Sequence, residues 1–374
     1  MLQLIFKPEL YQYASVREFA EEFKLGEGDL VITNEYIYQP YFGGLDLKCD
    51  VLYQERYGRG EPNDEMVEAM IADMEKMGDH GRVIGIGGGT VLDIAKIFAL
   101  KYVSPVEKLY NRELPVEKGR ELVLVPTTCG TGSEVTNIAI LAFLKKNVKF
   151  GLADNAMYAD KAVLIPEFLE NLPYPVFAAS SIDALVHAVE SGLSPKATAY
   201  TRIFGDKAIE MILKGYLTIA AQGPEARIPL LSEFLTASNF AGLAFGTAGC
   251  GPVHAMSYPL GGTFHVAHGE SNYAVFQGVI RHYLAKKVEG RDALDELEEL
   301  IGGVLGCEKD EAWERMFALL DQILTRKTLR GYGADEELLK TWAKEVIEGQ
   351  QRLMKNSYVP MNEEEVLAVY RSLY

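Results

Sequence analysis

Through the first half of this 374-residue chain, short β-branched apolar runs alternate with amphipathic stretches, and then the runs stop. Leu30-Val31-Ile32-Thr33, Arg82-Val83-Ile84-Gly85-Ile86, Glu121-Leu122-Val123-Leu124-Val125-Pro126 and Ala162-Val163-Leu164-Ile165-Pro166 read as buried strands. Helical periodicity covers 65–77 and 91–100. Strands separated by helices predict βαβ units and a mostly parallel sheet, because parallel neighbours need a crossover connection. Met66, Met70, Met74 and Met77 recur at helical spacing and read as core packing.

After Pro173-Tyr174-Pro175 the strand signal ends and long helical patterns follow over 180–191, 199–221, 229–245, 291–305 and 308–324. The expected fold class is α/β then all-α, divided into residues 1–177 and 178–374. The acidic run Asp292, Asp295, Glu296, Glu298 and Glu299 reads as a solvated helix face. Apolar residues make up 48% of the chain, enough for a large core without disulfide or metal staples. Lys and Arg number 37 against 53 Asp and Glu, a formal charge of −16. That balance argues against nucleic-acid and anionic-membrane partners, because the attraction to phosphate is missing. Cys49, Cys129, Cys250 and Cys307 are scattered with no CxxC pair, so they are expected to be reduced and structural, in a cytoplasmic setting. The N-terminus does not read as a signal peptide, and no apolar run reaches the ~18 residues of a membrane span.

Two glycine-rich turns follow predicted strands. Gly85-Ile86-Gly87-Gly88-Gly89-Thr90 leads into a helix, where free N–H groups and a positive dipole end suit a diphosphate. Its spacing is neither GxGxxG nor a P-loop, and a ligand-free strand–helix turn reads equally well. Pro126-Thr127-Thr128-Cys129-Gly130-Thr131-Gly132-Ser133-Glu134 offers hydroxyls for ribose or phosphate oxygens, or alternatively a helix cap at Thr131 or Ser133. Two such turns at the carboxyl ends of parallel strands favour a nucleotide crevice over either turn alone.

Of six histidines, His187 stands four residues after Asp183, which puts both on one helix face. His254 and His268 lie 14 residues apart, with Pro259 and Gly261-Gly262 predicting helix, break, helix between them. One carboxylate and three imidazoles suit Fe(II), Zn(II) or Co(II). Alone, the Asp183–His187 pair reads as a surface ion pair, and each isolated histidine as a satisfied core residue.

In this order, Gly87-Gly88-Gly89-Thr90-Val91-Leu92-Asp93-Ile94-Ala95-Lys96, the 126–136 turn, Asp183-Ala184-Leu185-Val186-His187 and the His254 to His268-Gly269 block resemble the iron-containing alcohol dehydrogenases. The last block looks most like the family's 4-hydroxybutyrate dehydrogenase branch. The resemblance implies a dinucleotide-binding α/β domain, a helical metal-binding domain and a metal and hydride site in the cleft between them. It implies Asp183, His187, His254 and His268 as ligands to Fe(II) or Zn(II). Gly87, Gly88, Gly89 and Thr90 would hold the diphosphate of NAD, or of NADP, with Asp93 shaping the turn. Thr127 and Thr128 would lie near adenine and ribose, and Ser133 and Lys149 near the nicotinamide. Three departures stand out. Tyr258 replaces a frequent histidine, leaving Tyr258 or His265 for catalytic proton transfer. Asn34 holds the place of an acidic residue that reads the adenosine ribose. Ala267 replaces a common proline, for which only a local backbone difference is expected.

The implied activity is interconversion of a short aldehyde and its primary alcohol, succinate semialdehyde and 4-hydroxybutyrate, by a homodimer or larger assembly. Tyr258, His265 and Arg281 are candidate anchors for the substrate carboxylate. A dehydroquinate-synthase-like lyase and a non-catalytic dinucleotide sensor are the alternatives. The scarcity of basic residues near the histidine block counts against the first, and four intact ligands count against the second.

Overall fold

A computed structural model describes residues 2–58, 60–146, 148–287 and 293–374. The chain forms two compact units, one of Phe6–Thr128 with Gly132–Asn171, the other of the residues up to Ile5, Cys129–Thr131 and Leu172–Tyr374. The division thus falls between Asn171 and Leu172. The tip of the second glycine turn groups with the helices because Cys129 Sγ lies 3.7 Å from Ser180 Oγ and Gly130 O bonds His187.

In chain order the first unit contains β1 (Glu9–Gln12), α1 (Val16–Glu22), β2 (Asp29–Thr33), α2 (Glu35–Phe42), β3 (Asp50–Tyr53), α3 (Asp64–Met77), β4 (Arg82–Gly87), α4 (Gly89–Phe98), α5 (Val106–Tyr110), β5 (Glu121–Pro126), β6 (Ile138–Phe143), β7 (Val148–Ala153), β8 (Lys161–Leu164) and α6 (Glu167–Glu170). Its main sheet runs β1-β8-β5-β4-β2-β3, parallel throughout, and β6–β7 is a separate antiparallel pair. The predicted runs became β2, β4, β5 and β8, which are largely buried. Burial on both faces is why they read as continuous apolar segments. The sequence reading passed over β1 and β3 because they lie at the sheet edges and carry exposed polar residues.

Helix α4 packs so close to β4 that a Cβ on Gly85 would meet Ala95 Cβ at 2.6 Å and Leu124 Cδ2 at 3.0 Å. On α3, Met66, Met70 and Met74 enter the core as expected, whereas Met77, the last residue of the helix, is 39% exposed. From β2 the chain passes through α2 to β3 on one side; from β4 it passes through α4 to β5 on the other. The adjacent carboxyl ends of β2 and β4 therefore form a topological switch point.

The second unit is built from α7 (Tyr174–Leu193), α8 (Ala199–Gln222), α9 (Leu231–Ala248), α10 (Pro252–Phe264), α11 (His268–Ala285), α12 (Ala293–Leu305) and α13 (Ala312–Ile323), with further helices at Glu336–Gly349 and Glu363–Ser372. α7 and the segment Pro224–Ala248 are long and apolar enough to cross a membrane, but 89% of the first window is buried as a core helix. Contrary to expectation, α10 continues through Pro259 and both glycines. Met256 and Leu260 are fully buried and hold the helix there by tertiary packing. The break comes at His265, whose φ of 54° ends the helix in the left-handed region. Ala267 has φ −56°, a value proline would itself impose, so its replacement of proline needs no altered backbone.

The acidic run is not a freely solvated face. Glu298 is buried and pairs with Lys287, Asp295 pairs with Lys287 and Lys309, Glu296 pairs with Arg202, and Glu299 pairs with Lys309. Arg291 and Asp292 lie outside the described residues. In the expected 308–324 helix, a 3₁₀ turn over Lys309–Glu311 precedes α13.

Gly85→Ala is expected to cost about 1–3 kcal/mol by overpacking α4 against β4, read as a lowered urea midpoint with an unchanged slope.

Candidate functional site

Asp183 and His187 lie one turn apart on α7, and both are buried. Neither is at a surface, which removes the surface ion-pair reading. His254 comes from α10 and His268 from the first position of α11. α11 reaches this place because Gly269 has no side chain: a Cβ there would lie 2.1 Å from Ala179 O. Its first turn thus rests on α7, and His268 Nε2 stands 3.8 Å from Asp183 Oδ1. His254 Nε2 stands 3.7 Å from the same oxygen. Two ligands of one tetrahedral ion at 2.0–2.1 Å would be roughly 3.4 Å apart, close to these separations.

His187 joins the cluster differently. Its ring stacks on His254 at 4.5 Å and on Phe245 at 4.2 Å. Candidate donor atoms form two groups, Asp183–His254–His268 and His187–Cys250–His254, each within 4.8 Å. Burial raises the Cys250 thiol well above its ordinary range, so without a cation beside it the sulfur keeps its proton. Burial alone would raise Asp183 as well, but the imidazoles, His187 first, hold it below its usual value, and it remains an anion. Burial pushes His187 down to about 3, so at neutral pH its lone pair is available.

Outer partners fix which nitrogens face inward. His187 Nδ1 bonds Gly130 O at 3.1 Å, and His254 Nδ1 bonds Glu190 Oε2 at 2.6 Å. The Nε2 atoms are left for a cation, as in many metal centres. Glu190 also accepts from Gly251 N at 3.0 Å and Val253 N at 2.6 Å, tying the start of α10 to α7. Asn272 Nδ2 lies 2.7, 3.1 and 3.2 Å from Asp183 Oδ1, His254 Nε2 and His268 Nε2, while its own buried Oδ1 has no partner among the described residues. One amide facing three lone-pair atoms marks where their electron density converges. This donor set fits a divalent metal.

Tyr258 follows His254 by one turn, its ring 6.1 Å from that of His268. His265 is exposed at the α10 cap and is in neither donor group. Arg281 is not a carboxylate anchor. It lies 13 residues beyond His268 on α11, about 20 Å along the axis. There it forks onto Glu314 and lines a separate cavity of about 420 Å³ with His282, Arg326 and Lys327.

In the first unit, Gly88 caps α4 without a side-chain hydrogen bond, and Gly89 and Thr90 begin the helix, leaving early N–H groups for an anion. Thr90 Oγ1 bonds Gly60 O at 3.2 Å. Thr127 N bonds Gly87 O at 3.0 Å, and Thr128 Cγ2 would lie 3.8 Å from a Cβ on Gly88, so the turns after β4 and β5 are neighbours. Asn34 begins α2 at the end of β2. These positions fit a diphosphate and its adenosine. Gly132, with φ 56°, precedes the 3₁₀ turn Ser133–Val135, and neither Thr131 nor Ser133 acts as its cap. Asp93 reaches further than its own turn: it accepts from Ser133 Oγ at 2.7 Å and Ile140 N at 2.9 Å. The fully buried Lys96 Nζ bonds Ser133 Oγ and Ile138 O, both at 2.7 Å. Burial lowers the Lys96 ammonium, opposed by Asp93. Ser133 is thus held in a structural network, and Lys149, on β7, pairs with Glu61.

Family models for iron-containing alcohol dehydrogenase match residues 10–166, and for the C-terminal part of the same family residues 177–374. The chain belongs to the iron-containing alcohol dehydrogenase family. As such it is an oxidoreductase that interconverts alcohols and aldehydes. It is 44% identical over 376 aligned residues, 100% of both chains, to a 4-hydroxybutyrate dehydrogenase of Clostridium kluyveri. It is 33% identical to long-chain-alcohol dehydrogenase 1 of Geobacillus thermodenitrificans, over 92% of this chain and 89% of that one. The crystal structure of sulfoacetaldehyde reductase from Bifidobacterium kashiwanohense with NAD+ has the same fold, with TM-score 0.85, 21% identity, and 100% and 99% coverage.

Within this enzyme the sequence reading missed Glu190, Cys250 and Asn272. Each had a positional signal: Glu190 is seven residues after Asp183, Cys250 four before His254, and Asn272 four after His268. Glu190→Gln is expected to weaken metal affinity about 10–100-fold, measured by competition with a chromophoric chelator. The metal-free protein should gain stability as pH rises from about 3 to 6.5, because over that range the unfolded chain binds a proton that folded His187 refuses. The slope is up to about 1.4 kcal/mol per pH unit, and urea titrations of His187→Phe should show it reduced.

Proposed function

We propose that this enzyme interconverts 4-hydroxybutyrate and succinate semialdehyde, using NAD, or alternatively NADP, and a divalent iron or zinc ion. The observation carrying the substrate is the 44% identity over the full length of both chains with the Clostridium kluyveri enzyme. The observation supporting the metal is the convergence of Asp183, His254 and His268, with His187 stacked on His254.

When bound, the metal would supply a Lewis acid for the alcohol or aldehyde oxygen and the nicotinamide would supply or accept hydride. Asp183 would contribute the one anionic ligand, and His187, His254 and His268 neutral imidazoles through Nε2. Glu190 and Gly130 O hold two of those rings in the required tautomer. Gly88, Gly89 and Thr90 would receive the diphosphate on the N–H groups of α4, with Gly87, Thr127 and Thr128 keeping the adjoining backbone close. Asp93 would act by fixing the second turn through Ser133, and Lys149 would flank the nicotinamide end. Tyr258, whose ring lies beside that of His268, would relay the proton of the substrate hydroxyl, accepting it at the phenolic oxygen as its own proton passes to solvent during oxidation and running the same exchange in reverse during reduction; His265 is the second candidate for that role. The same two residues remain as candidates for the substrate carboxylate.

The reading extends to a cytoplasmic homodimer or larger assembly. Four free cysteines support a reducing compartment, and the exposed Tyr200 and Ile203 on α8 support association. Light scattering of the purified protein tests the assembly.

The decisive assay follows NADH absorbance anaerobically with Fe(II) or Zn(II) and a panel of short aldehydes. Oxidation of NADH with succinate semialdehyde, faster than with uncharged aldehydes of the same length, is the expected result. Turnover without net change in NADH would instead support the lyase alternative and overturn this reading.

A further inference from the structure

Asn34 follows β2 at the switch point, a place where a carboxylate commonly reads the adenosine ribose 2′-OH of NAD. Asn34 is itself uncharged, but it holds a carboxylate. Its Nδ2 donates to Glu55 Oε2 at 2.9 Å and to Gln54 Oε1 at 3.2 Å. Glu35 N donates to the other oxygen, Glu55 Oε1, at 2.6 Å. Glu55 arrives from the neighbouring strand. β3 pairs in parallel with β2, Thr33 opposite Tyr53, so Glu55 and Asn34 meet just beyond the same sheet edge. On the other side of β2, Ile32 pairs with Gly85, which brings Gly87 and Gly88 to that edge too. With strands about 4.8 Å apart, the glycine turn and Glu55 stand roughly 10 Å apart, with Asn34 between them. A dinucleotide with its diphosphate on α4 would present its adenosine ribose along this span.

The surrounding charge points the same way. Arg56, which could have neutralised a 2′-phosphate, pairs with Glu35 Oε2 at 3.1 Å and lies over the Tyr53 ring at 4.5 Å. Among the described residues, two carboxylates, Glu35 and Glu55, act on this guanidinium. An ionised carboxylate only accepts hydrogen bonds, so it favours a ribose hydroxyl and repels a phosphate ester in its place.

We propose that Glu55 reads the adenosine ribose and sets a preference for NAD over NADP, with Asn34 as the positioning residue that aims it. The assignment rests on the reading of a dinucleotide in this unit.

Calorimetric titration of the full-length protein with NAD and with NADP tests it without turnover. The wild type is expected to bind NAD at least tenfold more tightly than NADP. Glu55→Gln should bring that ratio close to one, and Asn34→Ala should move it in the same direction. The double variant Asn34→Asp/Glu55→Gln, which moves the carboxylate from the end of β3 to the end of β2, should restore the preference for NAD. If Glu55→Gln fails to fold, Asn34→Ala decides. An unchanged ratio in the folded variants, or a wild type that prefers NADP, overturns the assignment but leaves the dinucleotide reading intact. A wild type that binds neither cofactor overturns both.

Discussion

Among the described residues, the buried carboxylate of Asp183 is paired with no lysine or arginine. Its hydrogen-bond and ionic neighbours among the described residues are three imidazoles and the Asn272 amide, not a lysine or arginine. A buried charge without a full cationic partner is costly. Under the proposed reading, much of the favourable energy of this arrangement would come from a bound cation, as in a metal site. The rest of the helical unit serves this concentration of lone pairs. α7 is buried around almost its whole circumference, Gly269 lets α11 close on it, and Glu190 fastens α10 to it.

The α/β unit handles a buried charge in the opposite way. Lys96 is completely buried, but Asp93, Ser133, Thr136 and Ile138 O surround it with oxygens. The cluster satisfies itself and joins α4 to the turn after β5. One buried network is complete and serves as framework; the other lacks a lysine or arginine partner among the described residues and is the candidate site.

Much of this was legible in the residues, for specific reasons. β2, β4 and β5 are covered on both faces, and double burial writes itself as an unbroken apolar run. The edge strands β1 and β3 have no such signature. All four metal-ligand candidates were readable because histidine is rare in this chain and Asp183 and His187 share a helix face. Glu190 and Asn272 were not, since a carboxylate or amide one or two turns along a helix is an ordinary surface residue until burial is known. Arg281 failed as an anchor for a geometric reason: rigid helical rise carries it far from His268. The break between the two later histidines was misplaced because packing around Met256 and Leu260 overrides what Pro259 and two glycines prefer locally.

The choice between the two donor groups can be measured at the metal itself. X-ray absorption at the iron or zinc edge of the reconstituted enzyme should show a shell of nitrogen and oxygen near 2.0–2.2 Å, with the multiple scattering of imidazole rings and no sulfur. A sulfur scatterer near 2.3 Å would place Cys250 on the metal and contradict the Asp183-centred site.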